Sequence, residues 1–296
     1  MKAALLVDAK CTLAEGIQWR ADQQRLWWTD IHGCMLWSCD EDGGAVRKLE
    51  TPERLGSFAF DPDGHLLCAF ESGLFRWDIE GDRLDRLTDF EPTHPSSRLN
   101  DGRCDRQGRF LAGGIDEDGM QPTSSLIRFA AGREQTLRTG IGCANSICFS
   151  PDGAWMYFAD STTRRIQRIA YDGGLGALGQ DHLFYETGAD GSPDGSCVDA
   201  GGGVWNAFWH GGGAPGHVRQ ILADGTPALR VEVDVPQVSC ACFGGRGLDR
   251  LYITTARENM TEAQCARHPL SGGVFVAEPG VTGLLEDRYA TRLFPA

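Results

Sequence analysis

The sequence lacks both an excess of positive charge and any long apolar segment. Its 296 residues include 28 Lys and Arg against 41 Asp and Glu, a formal net charge of −13 at pH 7. Nucleic acids and anionic lipid surfaces are bound through excess basic residues, so neither is an expected partner. No run approaches the roughly 18 apolar residues that cross a bilayer. The amino-terminal apolar run, residues 3–7, is too short for a signal peptide, which predicts a soluble protein.

The sequence also lacks paired cysteines. Eleven cysteines are scattered between Cys11 and Cys265, the count is odd, and none forms a C-x-x-C motif. The disulfide frameworks of secreted domains usually have an even number of cysteines. We therefore expect reduced thiols and a cytoplasmic location, and a disulfide framework is the less favoured alternative.

Several common catalytic and binding motifs are absent or out of context. There is no G-x-S-x-G nucleophile motif and no H-E-x-x-H zinc motif. The G-x-G-x-x-G match at Gly174–Gly179 lies between two strand-like runs, where a dinucleotide site needs a following helix. Asp61-Pro-Asp-Gly64 and Asp40-Glu-Asp-Gly43 resemble fragments of a calcium loop, but the closing glutamate of an EF-hand is missing from both.

What the chain does contain is a repeat of strand-like apolar runs. Four of these runs follow a tight turn rich in Asp and Gly, such as Asp105-Arg-Gln-Gly108 and Asp199-Ala-Gly-Gly202. Successive runs begin 40 to 48 residues apart. The six runs begin at Arg25, His65, Arg109, Trp155, Gly203 and Arg250.

A further apolar run lies about ten residues beyond each of the six, at hairpin spacing, and helical periodicity is almost missing. Short strands repeated every 40 to 50 residues or so are typical of β-propeller blades. We predict an all-β fold in which residues 1–296 form a single six-bladed β-propeller domain with four-stranded blades. The run from Ala4 to Thr12 has no repeat partner, so we expect it to supply a strand to the last blade and close the ring.

The innermost strands of a propeller surround a central channel, so a site there needs single polar residues at equivalent positions of several repeats. Four repeats meet this condition, with Glu15, Asn100, Asn145 and Asp194. Carboxylate and amide oxygens suit hard cations such as Ca²⁺, Mg²⁺ or Mn²⁺, and carboxylates also bind Zn²⁺ or Fe²⁺. The pattern predicts a central site for one divalent metal ion.

Each of these residues also has a simpler interpretation. Asn100 or Asp194 alone fits an ordinary turn, and Glu15 alone fits a solvated charge at a strand end. Asn145 lies between apolar neighbours, where an unpaired amide would cost about 1 to 3 kcal/mol. As a set at matching positions, they favour a site over four unrelated residues.

Motifs in a consistent order over nearly the whole chain resemble the senescence marker protein, regucalcin and gluconolactonase family of six-bladed propellers. They are L-x-E-G at Leu13–Gly16, RLNDG at Arg98–Gly102, NSICFSPDG at Asn145–Gly153, PDGSCVD at Pro193–Asp199, CFGG at Cys242–Gly245 and YITTAR at Tyr252–Arg257. Each motif is weak by itself, and their shared order and spacing carry the resemblance.

The resemblance implies a hydrolase that opens sugar lactones with one divalent metal ion. It places metal ligands at Glu15, Asn145 and Asp194. It places substrate contacts at Arg98 and Asn100, and a further polar contact at Glu117. The metal would polarise the lactone carbonyl and stabilise the oxyanion, while Asp194 accepts a proton from the attacking water.

Two departures from the family motifs leave the loop shape and substrate preference open. The chain has Ile17 where the family often has proline after E-G, and Ser146 where it often has glycine after S-N. The expected partner is a small sugar lactone, such as arabinono- or galactonolactone, bound by a monomer or small homo-oligomer. The cluster Phe208–His210 with Gly211–Gly213 is either part of the pocket rim or a loop beside a buried aromatic.

Two other functions are compatible with the same residues. One is a promiscuous ester or phosphotriester hydrolase that uses the same metal site. The other is a propeller without catalytic activity that binds calcium or a partner protein. The sequence shows no obvious exposed apolar or charged patch of the kind that such a binding platform would need.

Overall fold

A computed structural model describes residues 1–211 and 215–291. These residues form six separate four-stranded antiparallel sheets. In chain order, the strands up to the end of the second blade are β1 (Ala4–Val7), β2 (Ala14–Arg20), β3 (Arg25–Asp30), β4 (Met35–Cys39), β5 (Arg47–Glu50), β6 (Leu55–Phe60), β7 (Leu66–Phe70), β8 (Gly73–Asp78) and β9 (Arg83–Asp89).

The remaining strands complete four more blades. Those of the third and fourth blades are β10 (Ser97–Cys104), β11 (Phe110–Asp116), β12 (Ser124–Ala130), β13 (Arg133–Ile141), β14 (Ala144–Phe149), β15 (Trp155–Asp160), β16 (Arg165–Asp172) and β17 (Ala177–Glu186). Those of the last two are β18 (Ser192–Val198), β19 (Val204–Trp209), β20 (His217–Ile221), β21 (Pro227–Glu232), β22 (Val238–Gly244), β23 (Arg250–Thr255) and β24 (Val274–Ala277).

The sheet order confirms the predicted six-bladed β-propeller with four-stranded blades. Blades 1 to 5 each contain four consecutive strands, beginning at β2, β6, β10, β14 and β18. The sixth has the order β1-β24-β23-β22, so the amino-terminal strand closes the ring as expected. The six repeated runs are the second strands of the blades, and the runs that follow them are the third strands.

The turns between first and second strands are held by aspartate side chains and glycines with positive φ. Oδ1 of Asp105 accepts hydrogen bonds from the backbone N–H groups of Gln107 and Arg109 at 2.9 and 2.8 Å. Gly108 in the same turn has φ +80°, a conformation that costs glycine little because it has no Cβ. This chemistry explains why the Asp and Gly turns marked the repeats in the sequence.

Neighbouring blades pack through large buried side chains. Trp19 of blade 1 stacks on Tyr252 of blade 6 with ring centroids 6.2 Å apart. Trp205 of blade 5 meets Phe243 of blade 6 edge to face at 5.5 Å. Burying such rings against each other stabilises the ring of blades, since each aromatic side chain removes a large apolar area from water.

The carboxyl-terminal segment, residues 281–290, crosses the face of the propeller that carries the Asp and Gly turns, which we call the base. The backbone N–H of Gly283 donates to the carbonyl of Leu248 in blade 6, and that of Ala290 donates to Gly108 in blade 3. Between them, Glu286 forms an ion pair with Arg103, a residue of the innermost strand β10. The segment therefore ties opposite sides of the ring together across its axis.

A short helix, α1 (Glu262–Arg267), lies in the connection between β23 and β24. Thr261 caps it, because its hydroxyl accepts from the N–H of Gln264 while the Gln264 side chain accepts from the N–H of Thr261. Two 3₁₀ turns occupy Ser161–Thr163 and Gly188–Asp190. In the part of the chain that the structure describes, no helix has the length and apolarity needed to cross a membrane.

Candidate functional site

A cavity of about 630 Å³ lies at the face opposite the base, where the innermost strands begin. We call this face the mouth. The cavity is lined by residues from four innermost strands and from the loops between second and third strands. All six residues predicted for the site line it, namely Glu15, Arg98, Asn100, Glu117, Asn145 and Asp194.

The four innermost strands that line the cavity share an irregularity at this level. In each, the pairing with the second strand shifts by one residue, at Glu15/Gln18, Leu99/Gly102, Asn145/Cys148 and Pro193/Ser196. A β-bulge of this kind re-aims side chains and is common beside functional sites. Glu15, Asn100, Asn145 and Asp194 each lie in or next to such a bulge, which explains their equivalent positions in the repeat.

Glu15 and Asp194 are buried carboxylates without a basic partner. Neither forms an ion pair within 4 Å in residues 1–211 and 215–291, and their exposed fractions are 9% and 8%. Burial, followed by the nearby charge of Asp101, raises the pKa of Glu15 to about 8. Burial, followed by the charge of Glu15, raises the pKa of Asp194 well above its ordinary range. Two carboxylates in this situation favour a proton or a cation between them.

Asn145 and Asn100 are held by a chain of hydrogen bonds that joins three blades. Nδ2 of Asn145 donates to Oγ of Ser161 at 2.9 Å, and that hydroxyl donates to the carbonyl of Pro193 at 2.7 Å. Nδ2 of Asn100 donates to the carbonyl of Ala144 at 3.0 Å. Oδ1 of Asn145 accepts from Nδ2 of Asn100 at 3.3 Å, and its second lone pair is available to a ligand.

Arg98 is fixed in place before any substrate binds. Its Nε donates to Oε1 of Glu117 and its Nη1 to Oδ1 of Asn100, both at 2.8 Å. Arg54 donates to the same Glu117 oxygen at 2.8 Å. These guanidinium groups lower the pKa of Glu117 against the opposing effect of its burial. The charge of Arg98 is therefore already balanced by Glu117, and Arg98 lines the cavity as a hydrogen-bond donor.

Asp101 holds two blades together below the cavity. Its Oδ1 accepts from the N–H of Gly102, and its Oδ2 accepts from the N–H of Ile147 in blade 4, both at 2.8 Å. Burial raises the pKa of Asp101, and the nearby Arg103 opposes that shift. The sequence placed Asp101 beside Arg98 and Asn100 in one motif, but nothing in the motif showed that it bonds to the next blade.

Ser146 occupies a position that favours glycine. It has φ +58°, the same value as Gly16 at the equivalent position of blade 1. Its hydroxyl lies 2.8 Å from the carbonyl oxygen of Asp194 and 2.6 Å from Oδ1 of Asn206. The departure from the family motif at this position thus keeps the glycine-like backbone and adds polar contacts to blade 5.

The rim of the cavity contains residues that the sequence did not single out. Arg164, Met120 and Glu258 line it, and Oε1 of Glu258 lies 2.7 Å from Nε2 of His32. Trp209 also lines it, whereas Phe208 is fully buried. Of the Phe208–Gly213 cluster, Trp209 and Gly211 therefore belong to the pocket rim, which was one of the two interpretations of the sequence. Gly212 and Gly213 lie outside the described residues. These residues come from loops, which have no repeat to reveal them.

A second group of potential metal ligands lies in the turn after β6, away from the cavity. Asp61, Asp63 and His65 bring one ligand atom each within 4.8 Å of one another. Asp61 is already engaged, because Oδ1 accepts from the N–H of His65 and Oδ2 accepts from Arg76 at 3.1 Å. The group belongs to the turn chemistry of the repeat, and no further role is assigned to it.

Comparisons with known proteins place this architecture among lactonases and their relatives. The chain is 39% identical over 295 residues to L-arabinolactonase of Azospirillum brasilense, covering 98% of this chain and 96% of that protein. It is 34% identical to 6-deoxy-6-sulfogluconolactonase of Pseudomonas putida, covering 96% and 97%. The crystal structure of the calcium-binding protein regucalcin from Agrobacterium tumefaciens superposes with a TM-score of 0.92 at 30% identity, covering 99% and 98%.

The match to a family model agrees with the propeller and with the order of the motifs along the chain. It extends over residues 13–257, which include every residue of the predicted site. The chain belongs to the SMP-30/gluconolactonase/LRE-like family.

Proposed function

We propose that the chain is a metal-dependent lactonase that hydrolyses a sugar lactone to its aldonic acid, with a pentono- or hexonolactone such as arabinono- or galactonolactone as substrate. The observation that carries the proposal is the pair of buried carboxylates, Glu15 and Asp194, beside Asn145 at the floor of the cavity. The lactonases named among the relatives support the same reaction class.

The three side chains fit a hard divalent cation. Within the described residues, Glu15 and Asp194 are carboxylates with no ion pair within 4 Å, and Asn145 supplies a neutral oxygen. This donor set suits Ca²⁺, Mg²⁺ or Mn²⁺ and also allows Zn²⁺ or Fe²⁺. When bound, such a cation supplies Lewis-acid polarisation of the lactone carbonyl.

The protein groups then have distinct roles. Asp194 accepts the proton of the water that attacks the carbonyl carbon and returns it to the ring oxygen as the bond between that carbon and the ring oxygen breaks, which gives the hydroxy acid. Arg98 donates to a ring hydroxyl of the sugar, and Oδ1 of Asn100 accepts from another. Glu117 keeps Arg98 in the orientation seen here, through the 2.8 Å bond to its Nε. Holding the lactone in one orientation contributes to the rate because the reacting atoms start close together.

The test is proton release from arabinono-, galactono-, xylono- and gluconolactone, corrected for spontaneous opening, with and without a chelator. We expect chelator-sensitive turnover of at least one lactone that is restored by adding back a divalent cation. Asp194→Ala and Asn145→Ala should abolish most of it, whereas Asp224→Ala, in an exposed turn of blade 5, should not. Full activity in both site variants would show that these residues are not the site.

A second candidate, a calcium-binding propeller without catalytic activity, is favoured by the structural similarity to the calcium-binding protein regucalcin. The same assay separates the two. Calcium binding without turnover of any lactone would support the second candidate. Turnover of phosphotriesters alone would instead point to a promiscuous hydrolase using the same residues.

A further inference from the structure

We propose that Arg164 at the rim of the cavity binds a second, negatively charged group on the substrate, so that the enzyme accepts lactones bearing a carboxylate, sulfonate or phosphate. This inference rests on the proposed lactonase function and extends it to a class of substrate. It comes from the balance of charges around the cavity and from the place of Arg164 in the turn that holds Asn145.

All the ionisable side chains that line the cavity, except one, either form an ion pair or face the proposed cation. The ionisable residues concerned are Glu15, Arg98, Glu117, Arg164, Asp194 and Glu258. Arg98 pairs with Glu117, and Glu258 with His32. Glu15 and Asp194 face the proposed cation. In residues 1–211 and 215–291, Arg164 has neither an ion pair nor a side-chain hydrogen bond, so its charge is available to a ligand.

Within residues 1–211 and 215–291, Arg47, Arg133 and Arg257 also lack an ion pair, but none of them lines the cavity as Arg164 does. The other arginines near it are engaged: Arg165 lies 3.1 Å from Glu186, and Arg138 lies 2.7 Å from Asp181. An acidic protein repels anions at long range, so an anionic ligand needs a local positive group to bind. Arg98 is already neutralised by Glu117, which leaves Arg164 as the candidate for that role.

The turn that carries Arg164 sets its position at the rim. The residue has φ +54° and ψ +38°, the left-handed conformation, at the end of the 3₁₀ turn Ser161–Thr163. Glycine or asparagine would adopt this conformation with less strain, and an arginine there costs about 1 kcal/mol. The same conformation recurs at Cys34, the equivalent position of blade 1, so it belongs to the turn of the repeat. The turn also contains Ser161, which holds Asn145, so the backbone of Arg164 is fixed relative to the proposed metal ligands.

The chemistry of a guanidinium group suits a bidentate contact with an anionic group. Arginine offers planar donors that match carboxylate, sulfonate and phosphate oxygens. A lactone anchored at the floor by Arg98 and Asn100 would present the part of its sugar chain remote from the carbonyl to the rim. A negative group on that part is the chemistry that Arg164 would recognise.

The test compares a neutral lactone with an anionic one. The probes are arabinonolactone and glucarolactone, which keeps a free carboxylate after ring closure. Variants are Arg164→Gln and, as the matched control, Arg165→Gln, which changes the adjacent exposed arginine outside the cavity. Loss of a charge-assisted contact should lower kcat/KM for glucarolactone about tenfold more than for arabinonolactone in R164Q, mainly through KM. R165Q should alter neither.

Two further measurements, the salt dependence of turnover and the binding of product acids, test the role of Arg164. Raising the salt concentration should weaken glucarolactone turnover in the wild type more than in R164Q, because an exposed ionic contact is screened. Equal losses for both lactones in R164Q, or no turnover of glucarolactone by the wild type, would overturn the role of Arg164. If neither lactone is opened, the proposed function fails, and calorimetric binding of glucarate against arabinonate to wild type and R164Q then decides the role of Arg164 separately.

Discussion

The hydroxyl of Ser146 in blade 4 lies 2.8 Å from the backbone carbonyl oxygen of Asp194 in blade 5. Ser146 directly follows Asn145, so this contact joins the strands that carry two of the proposed metal ligands. It is made by a residue with φ +58°, where glycine would be unstrained. The chain therefore combines a strained backbone with a bond between blades at the floor of the cavity.

This contact predicts the order of stability of the wild type and two variants, S146A and S146G. Ser146→Ala removes the buried hydroxyl and keeps the strain, which should lower the free energy of unfolding by about 1 to 3 kcal/mol. Ser146→Gly removes the same hydroxyl but relieves the strain, so it should be more stable than S146A by about 1 kcal/mol. Urea denaturation of the three proteins measures the order. A variant S146A as stable as S146G would show that the backbone conformation is not strained.

The second prediction concerns the protein stripped of divalent cations. Glu15 has a folded-state pKa of about 8 against an ordinary value of 4.5, so the folded state holds more protons between these values. The free energy of unfolding should therefore fall as the pH rises through that window, and the loss should be complete above a pH of about 8. Thermal unfolding in chelator, at several pH values between neutral and mildly alkaline, measures this slope.

A neutral side chain and an added cation provide the controls for Glu15. Glu15→Gln mimics the protonated acid, so the free energy of unfolding should depend less steeply on pH. The dependence that remains should come from Asp194. Adding Ca²⁺ to the wild type should restore stability at alkaline pH, because the cation binds the folded state. An unchanged slope in E15Q would assign the pH dependence to other groups.

The third prediction concerns the stability of the protein at acidic pH and the role of His217 of blade 5. Burial lowers the pKa of His217 to about 4 from an ordinary value of 6.5, although its Nε2 lies 3.2 Å from Oδ1 of Asp190. Between these pH values, His217 binds a proton in the unfolded chain but not in the folded state. The free energy of unfolding should therefore fall as the pH drops from 6.5 towards 4. His217→Gln should flatten this limb in thermal unfolding, whereas His182→Gln, at an exposed position of β17, should not.

The fourth prediction concerns the ion pair between Arg103 and Glu286. Their side chains are 10% and 16% exposed, so Glu286→Ala would leave a nearly buried arginine without its partner. Removing one member of such a pair costs about 3 to 5 kcal/mol, while replacing both by apolar groups is often nearly neutral. Urea denaturation should thus show a large loss for E286A and a recovery in the double variant with Arg103→Met and Glu286→Met. A small loss for E286A alone would mean that water reaches Arg103.

The sequence predicted the blades because their turns have local chemistry. Asp105 and Gly108 form their turn through contacts within five residues, so the repeat is visible without knowledge of the fold. Glu15, Asn100, Asn145 and Asp194 were found for a related reason, since each occupies the same place in its repeat. Their arrival in one cavity was predicted from the propeller, while their roles remain proposals.

The rest of the site depends on contacts between distant parts of the chain. Arg164 and Glu258 belong to loops that differ from blade to blade, so no repeat marks them. The bond from Asp101 to Ile147 follows from how two blades meet, which one motif cannot show. Helix α1 did leave a local signal, the capping box between Thr261 and Gln264, but its six residues are too few to show a period.

In residues 1–211 and 215–291, the segment that crosses the base lies over the end of the propeller axis opposite the mouth. Gly283 and Ala290 anchor that segment to opposite blades, and Glu286 fills the space beside Arg103 between them. On the proposed reaction, a lactone that enters at the mouth leaves as its acid by the same route. The acid formed inside therefore competes with the next lactone for one passage, and accumulated product should act as a competitive inhibitor.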